Sequence, residues 1–283
     1  MSFPVPLTWE RDTAESQRDE KKRLYSPCSF FFSQGQALIT AAKYFSDERL
    51  ADNASGEVAK KHRHRIQLAL FGQMMASYEY MLKDFLARII DIVDVFDQKL
   101  IKPKWVNVDT ERILSQRVAQ TTVGSLLIHP TLGWQDPDQV NERYQSVLGN
   151  KIILPSEIPT LNRLWILRHS VAHNAGFVTS PDAGRIGSAG ISEKVINTDD
   201  DFMRQAFEFL KPIAERLADC CGRSALQQWL NSTVDLDANY DRDHSIYERL
   251  RLIGTYLPSR PESLPEFTEQ NYLADRTKAN ASS

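Results

Sequence analysis

The sequence predicts an all-α protein, a helical bundle built on one long spine helix with further helical segments at both ends. Apolar residues recur at intervals of three and four through most of the chain, which is the period of a helix with one buried face. Capping residues, prolines and glycines fall between these stretches, where helices begin and end. The 283 residues are 42% apolar, which is enough for a substantial core.

The spine helix is the longest periodic stretch, from Glu57 to about Lys99. It opens on the densest basic cluster in the chain, in which Lys60, Lys61, Arg63 and Arg65 are candidate contacts to an RNA backbone. A solvated helix start explains the same cluster, and both interpretations stay open. The predicted buried face consists of Phe71, Met74, Met75, Tyr78, Met81, Leu82, Phe85, Ile89, Val93 and Phe96.

The remaining elements follow from the same reasoning about periodicity and helix ends. Residues 177–199 are expected to form a long loop with a short hairpin-like piece at Gly190–Ile196. The other predicted helices are Ser29–Phe45, Asp109–Ile128, Pro137–Leu148, a helix ending near Asn174, Asp199–Leu230 with a kink at Pro212, and His244–Tyr256. We divide the chain into an N-terminal arm and helix (1–56), a helical domain (57–230) and a C-terminal extension (231–283).

Charge, cysteine content and the lengths of apolar runs limit the partners and the cellular location that we expect for this protein. The formal net charge of −3 gives no global attraction to nucleic acid or membrane, so RNA binding requires a local basic patch. Three cysteines without a C-x-x-C spacing indicate reduced thiols rather than a disulfide framework. Neither a signal peptide nor an apolar run of membrane-spanning length is apparent. We therefore expect a cytoplasmic protein with no membrane partner.

One apolar helical stretch, Leu161–Gly176, carries polar groups where packing residues are expected. On a helical wheel, Arg168 lies close to the centre of an apolar stripe, where its guanidinium needs a carboxylate, carbonyl oxygens or a bound anion. His169 and His173 are four residues apart and share the flank of that stripe. Gly176 is the expected helix stop. The stripe consists of Leu161, Leu164, Trp165, Leu167, Val171, Ala172 and Ala175.

As a pattern, these residues read R-H-x-x-x-H at the C-terminal end of an amphipathic helix, from Arg168 to His173. This resembles the signature of the HEPN superfamily: an arginine, a polar residue that is usually Asn, Asp or His, three more residues, and a histidine. The resemblance covers roughly residues 58–230 and implies a metal-independent endoribonuclease. In that family two units pair to build a composite site, so a homodimer is implied here. Many members resemble toxins or abortive-infection effectors controlled by an antitoxin or regulatory protein.

The residue types suit that chemistry. Cleavage of RNA by its own 2′-hydroxyl needs a proton acceptor, a proton donor for the departing 5′-oxygen, and a cation for the charge on phosphorus. Imidazole serves either proton-transfer role, and guanidinium matches phosphate geometry. On one helix Arg168 and His173 lie about 140° apart, and two copies across a two-fold axis would surround one phosphate. The expected products are a 2′,3′-cyclic phosphate and a 5′-hydroxyl.

The catalytic candidates are therefore Arg168, His169 and His173, with Glu79 and Asn174 as supporting residues. Glu79 lies at the edge of the spine helix's apolar face and is the candidate carboxylate for orienting Arg168 or His173. We predict no cofactor and no metal, although His169 and His173 also have the i, i+4 spacing of a metal pair. Three alternatives remain: a silent HEPN-like module that binds RNA, nucleotides or protein, an interaction protein, and a buried, salt-bridged Arg168.

Overall fold

The computed structural model describes residues 26–45, 54–106, 122–128, 133–232, 240–255 and residue 274. The predicted all-α fold is confirmed, with one two-stranded sheet in these ranges. The helices are α1 (Pro27–Tyr44), α2 (Ala54–Ile92), α3 (Asp97–Leu100), α4 (Val123–Ile128), α5 (Pro137–Leu148), α6 (Ile158–Asn174), α7 (Ser180–Ile186), α8 (Asp200–Arg216), α9 (Arg223–Ser232) and α10 (Tyr240–Thr255). The strands β1 (Phe177–Val178) and β2 (Lys194–Val195) pair antiparallel.

An aromatic cluster joins helices α1, α2, α6 and α8 at the centre of the molecule. The ring of Phe31 lies 5.6 Å from Tyr78 on α2 and 5.6 Å from Phe207 on α8, measured between centroids. Tyr78 in turn lies 6.2 Å from Trp165 on α6. Phe31 and Tyr78 are fully buried. As the periodicity predicts, α2 is therefore the spine against which the other three helices bury their apolar faces.

Helix α6 runs antiparallel to α2, and this direction decides which residues share an end of the bundle. Trp165 meets Tyr78, a Cβ on Gly72 would lie 3.6 Å from Val171, and Gly176 lies against Leu68. The contact at Gly176 is close, because a Cβ there would lie 2.7 Å from a methyl group of Leu68, and its φ is +85°. The positive φ favours glycine at this position. The start of α2 and the end of α6 consequently lie at the same end of the bundle.

Several predicted boundaries are confirmed by their caps. Helix α5 spans Pro137–Leu148 as predicted. The Asp136 carboxylate accepts hydrogen bonds from the backbone N–H groups of Asp138 and Gln139, and Gly149 lies in the left-handed region at φ 80°.

The core includes residues of α1 and α10, so helices from the predicted arm and extension pack with the 57–230 unit. The predicted start of a helix at Asp109, residues 1–25, and most of the C-terminal tail lie outside the described residues.

Two predictions about the second half of the chain need correction. Residues 177–199 are not simply a loop with a hairpin piece, because α7 lies between the two strands. Thr179 caps α7 at its start and Gly187 ends it at φ 77°, and Val178 and Ile186 pack with Ile166 in a small separate core. The predicted helix 199–230 is interrupted by a π-helical segment, Leu217–Gly222, whereas Pro212 lies within α8.

A half-buried ion pair ties the start of α6 to the end of α8. Both Nη atoms of Arg216 donate to the Glu157 carboxylate at 2.8 Å, and these hydrogen bonds raise the pKa of Arg216. We expect Glu157→Gln to lower the free energy of unfolding by about 1–3 kcal/mol, because the charge-assisted fork is lost in a partly dry site. Urea unfolding measures this, and Asp201→Asn in the exposed Asp201–Arg204 pair is the control. An unchanged midpoint for Glu157→Gln would contradict the assignment.

No helix in the described part of the chain is long and apolar enough to cross a bilayer.

Candidate active site

One face of the last two turns of α6 is exposed on the surface of the bundle. Leu161, Leu164 and Trp165 are buried as predicted, but Ala172 and Ala175 are exposed. The prediction that these two alanines belong to a buried stripe was wrong. Beyond Trp165 the helix packs through a different side, on which Ser170 is fully buried and Leu167 and Val171 are partly buried. The end of α6 therefore presents a surface made of small and polar side chains.

Arg168 stands at the border of that surface. Its side chain is half-buried rather than central in an apolar stripe, and it forms no hydrogen bond or ion pair with the described residues. The structure thus does not support a salt bridge from Arg168 to any described carboxylate. A guanidinium carries five N–H donors in a planar fork that fits phosphate or carboxylate oxygens. Arg168 is accordingly available to bind an anion.

His169 and His173 lie beside each other on the exposed side of the same helix. Their ring centroids are 4.5 Å apart with an interplanar angle of 41°. Both residues are exposed, which agrees with their predicted position on one face. Two accessible imidazoles provide groups that can transfer protons at a phosphodiester. Arg168 lies on the same helix, about 140° around the axis from His173.

The helix ends where the sequence predicts. Asn174, which is half-buried, is the last helical residue, and Ala175 (φ 54°) and Gly176 (φ 85°) both adopt the left-handed conformation. The N–H of Gly176 donates to the carbonyl of Ser170 at 2.9 Å, and the chain then enters β1. Ser170 itself is fully buried and its hydroxyl donates to the carbonyl of Ile166. Ser170 is therefore not placed to act as a nucleophile.

Glu79, the carboxylate predicted to orient Arg168 or His173, interacts with different residues in the structure. Glu79 forms an ion pair with Lys83 at 2.6 Å and accepts a hydrogen bond from the Gln135 amide at 3.3 Å. Within the ranges that the structure covers, no contact from Glu79 to Arg168 or His173 is recorded. An i, i+4 pair on its own helix satisfies this glutamate, which the wheel alone does not reveal. Gln135 in turn lines a cleft beside α6.

A cleft beside α6 was not predicted. It has a volume of about 460 Å³ and is lined by Gln135, Asn162, Trp165, Ile166, His169 and Arg185. The residues from α6 follow the spacing of one helix face, and His173 continues that face. This spacing was readable in the sequence, but the walls from α7 and from the segment before α5 depend on tertiary packing.

The predicted RNA-binding cluster lies at the same end of the bundle as the tip of α6. Leu68 lies beside Gly176 at the end of α6. Arg65 is three residues before Leu68 and Lys60 is eight residues before it, so the cluster lies roughly 5–12 Å beyond Leu68 along the axis of α2. Lys61 and Arg65 are exposed, whereas Lys60 pairs with Glu57 at 3.1 Å. Arg63 is half-buried. The site and the cluster are therefore neighbours along the bundle axis.

The described residues include no group of three or more histidine, cysteine, aspartate or glutamate side chains that could hold a metal ion. His169 and His173 would supply only two ligands. Comparison of the chain with protein-family models, curated proteins and solved structures found no match.

Proposed function

We propose that this protein is a metal-independent endoribonuclease of the HEPN type that acts as a homodimer. One observation carries the proposal: Arg168 is half-buried without a hydrogen-bond or ion-pair partner among the described residues, on the same helix end as an exposed pair of imidazoles. A structural arginine would be paired with a carboxylate, since burying an unpaired charge is costly. An arginine kept open for an anion next to two histidines suits binding and cleavage of a phosphodiester.

In the proposed reaction the substrate supplies its own nucleophile. The 2′-oxygen attacks the adjacent phosphorus while His173 of one subunit accepts the 2′-hydroxyl proton. The bond from phosphorus to the 5′-oxygen breaks, and the symmetry-related histidine donates a proton to that oxygen. Arg168 contacts the non-bridging oxygens, where negative charge builds up. His169 lies 4.5 Å from His173 between ring centroids and positions that imidazole.

Two copies are needed because Arg168 and His173 point about 140° apart on one helix. An exposed apolar pair lies next to this end of α6. Phe177 on β1 is 38% exposed and Val195 on β2 is 49% exposed, and the two are directly opposite in the strand ladder. Phe177 follows His173 by four residues. We assign this pair, which we call the hairpin patch, to the contact with the second copy.

The decisive experiment is an RNA cleavage assay in EDTA with analysis of the product ends. Cleavage that persists in the chelator and leaves 2′,3′-cyclic phosphate and 5′-hydroxyl ends is expected, because the route needs only the 2′-hydroxyl and side chains. A substrate with a single 2′-deoxy nucleotide should resist cleavage at that position alone. Cleavage that requires a divalent metal, or that leaves a 5′-phosphate, would contradict the proposal. Binding of RNA without cleavage would favour a silent HEPN-like module.

The cellular role in this proposal follows from the resemblance. The protein would act in the cytoplasm as a toxin or abortive-infection effector that cuts RNA, held in check by an antitoxin or another regulatory protein. The exposed basic residues Lys61 and Arg65, at the same end of the bundle as the site, support contact with an RNA backbone.

A further inference from the structure

The cleft beside α6 shares His169 with the proposed active site. Asn162, Ile166 and His169 line it from one face of the helix, and Arg185 of α7 and Gln135 line it from outside that helix. Asn162 and His169 are seven residues apart, so they lie roughly 10 Å apart along the helix axis. The ring of His169 in turn lies against that of His173. A molecule in the cleft would therefore reach the imidazoles.

The lining offers groups that read the edge of a base. Asn162 is exposed, and its amide has no recorded hydrogen bond in the described part of the chain, so both its donor and its acceptor are available. The Gln135 amide nitrogen donates to Glu79 at 3.3 Å, which orients the side chain and leaves its carbonyl oxygen to accept. Paired donors and acceptors of this kind match the edges of nucleobases.

The other walls suit the rest of a nucleotide. Trp165 and Ile166 are almost fully buried and give the cleft an apolar side. The Arg185 side chain is 68% exposed, and its 3.5 Å contact to Asp182 is long for an ion pair, which leaves donors for a phosphate. The volume of about 460 Å³ falls in the range of small-molecule sites, about 300–1,000 Å³.

We infer that this cleft is a base-binding subsite, which takes one unpaired nucleotide next to the cleaved bond and selects it through Asn162 and Gln135. The inference rests on the proposed ribonuclease activity and gives it a substrate class, single-stranded RNA with a preferred base beside the scissile phosphate. An unpaired base is required, because a base in a duplex keeps its edge in the pair. Arg185, which also lines the cleft, supplies donors to a phosphate of that nucleotide.

The test measures base preference by sequencing the cut sites of a randomised single-stranded RNA. The wild type should prefer one base at a fixed position beside the cut, and Asn162→Ala should reduce that preference about five- to tenfold with the overall rate less affected. Asn231→Ala on α9, another exposed asparagine, is the matched control and should leave the preference unchanged. Cutting without preference, or a preference that Asn162→Ala leaves intact, would overturn the subsite.

A binding measurement separates this inference from the catalytic proposal. The four nucleoside monophosphates are titrated into the wild type and Asn162→Ala by calorimetry. If the wild type binds one base more tightly than the others and Asn162→Ala does not, the subsite is supported even when no RNA is cleaved. In that case only the proposed function fails. Equal binding of all four, or identical binding by both proteins, overturns the subsite even if cleavage in EDTA is observed.

Discussion

Arg168→Ala and His173→Ala should each lower the rate of RNA cleavage in EDTA roughly a hundred- to ten-thousand-fold. The Arg168→Ala variant lacks the contact to the charge that develops on the phosphorane. The His173→Ala variant lacks the proton acceptor for the 2′-hydroxyl. Single-turnover rates under saturating protein report the chemical step without the contribution of binding. Both residues are at least partly exposed, so neither change should remove much from the core.

Arg163→Ala is the matched control for Arg168→Ala. Arg163 is an exposed arginine on the same helix, so its removal changes the net charge equally and leaves the site intact. It should keep nearly all the activity. Circular dichroism and urea unfolding of all three variants separate a chemical effect from a folding defect. Cleavage that survives both Arg168→Ala and His173→Ala refutes the site.

Val195→Asp should convert the dimer to a monomer and abolish cleavage with the fold intact. Val195 is 49% exposed and lies opposite Phe177 in the hairpin patch, so two copies of the new carboxylate would meet near the symmetry axis. Desolvated like charges at an interface cost several kcal/mol. Sedimentation equilibrium measures the mass of the particle, and the EDTA assay measures its activity on the same sample.

Val123→Asp serves as the control for this change, because Val123 on α4 is 62% exposed and outside the hairpin patch. It should remain a fully active dimer. An active monomer, for either the wild type or Val195→Asp, would contradict a composite site. A Val195→Asp protein that stays dimeric and active would place the interface elsewhere.

Local signals in the sequence were sufficient for much of the fold. The limits of α5 follow from Asp136 and Gly149, and the end of α6 follows from Gly176, because capping depends on residues close together in the chain. The long α2 followed from its apolar period, but it ends at Ile92 rather than near Lys99, because Val93 is extended and a 3-10 turn and the short α3 follow. The same local reasoning placed His169 and His173 on one exposed face.

The exposure of Ala172, the partners of Glu79 and the cleft depend on tertiary packing and could not be predicted from local sequence. The wheel assigned Ala172 to a buried stripe, but no described helix covers that side of α6, so it is exposed. Glu79 was predicted near Arg168, and the closer Lys83 and Gln135 take its oxygens instead. The cleft arises only when α7 folds back beside α6, and a segment of seven residues carries too little periodicity to be identified as a helix from sequence.

A mixing experiment tests the central claim most directly, namely that Arg168 of one subunit and His173 of the other act on the same phosphate. Wild-type protein and a fourfold excess of a double variant, Arg168→Ala with His173→Ala, are unfolded together, refolded and assayed in EDTA. A mixed dimer lacks one arginine and one of the two histidines of the shared site, so activity per wild-type subunit should fall to roughly a fifth, the share of wild-type subunits that still pair with each other. Activity per wild-type subunit that stays unchanged, with mixed dimers demonstrated by mass spectrometry, would contradict a site shared between two copies.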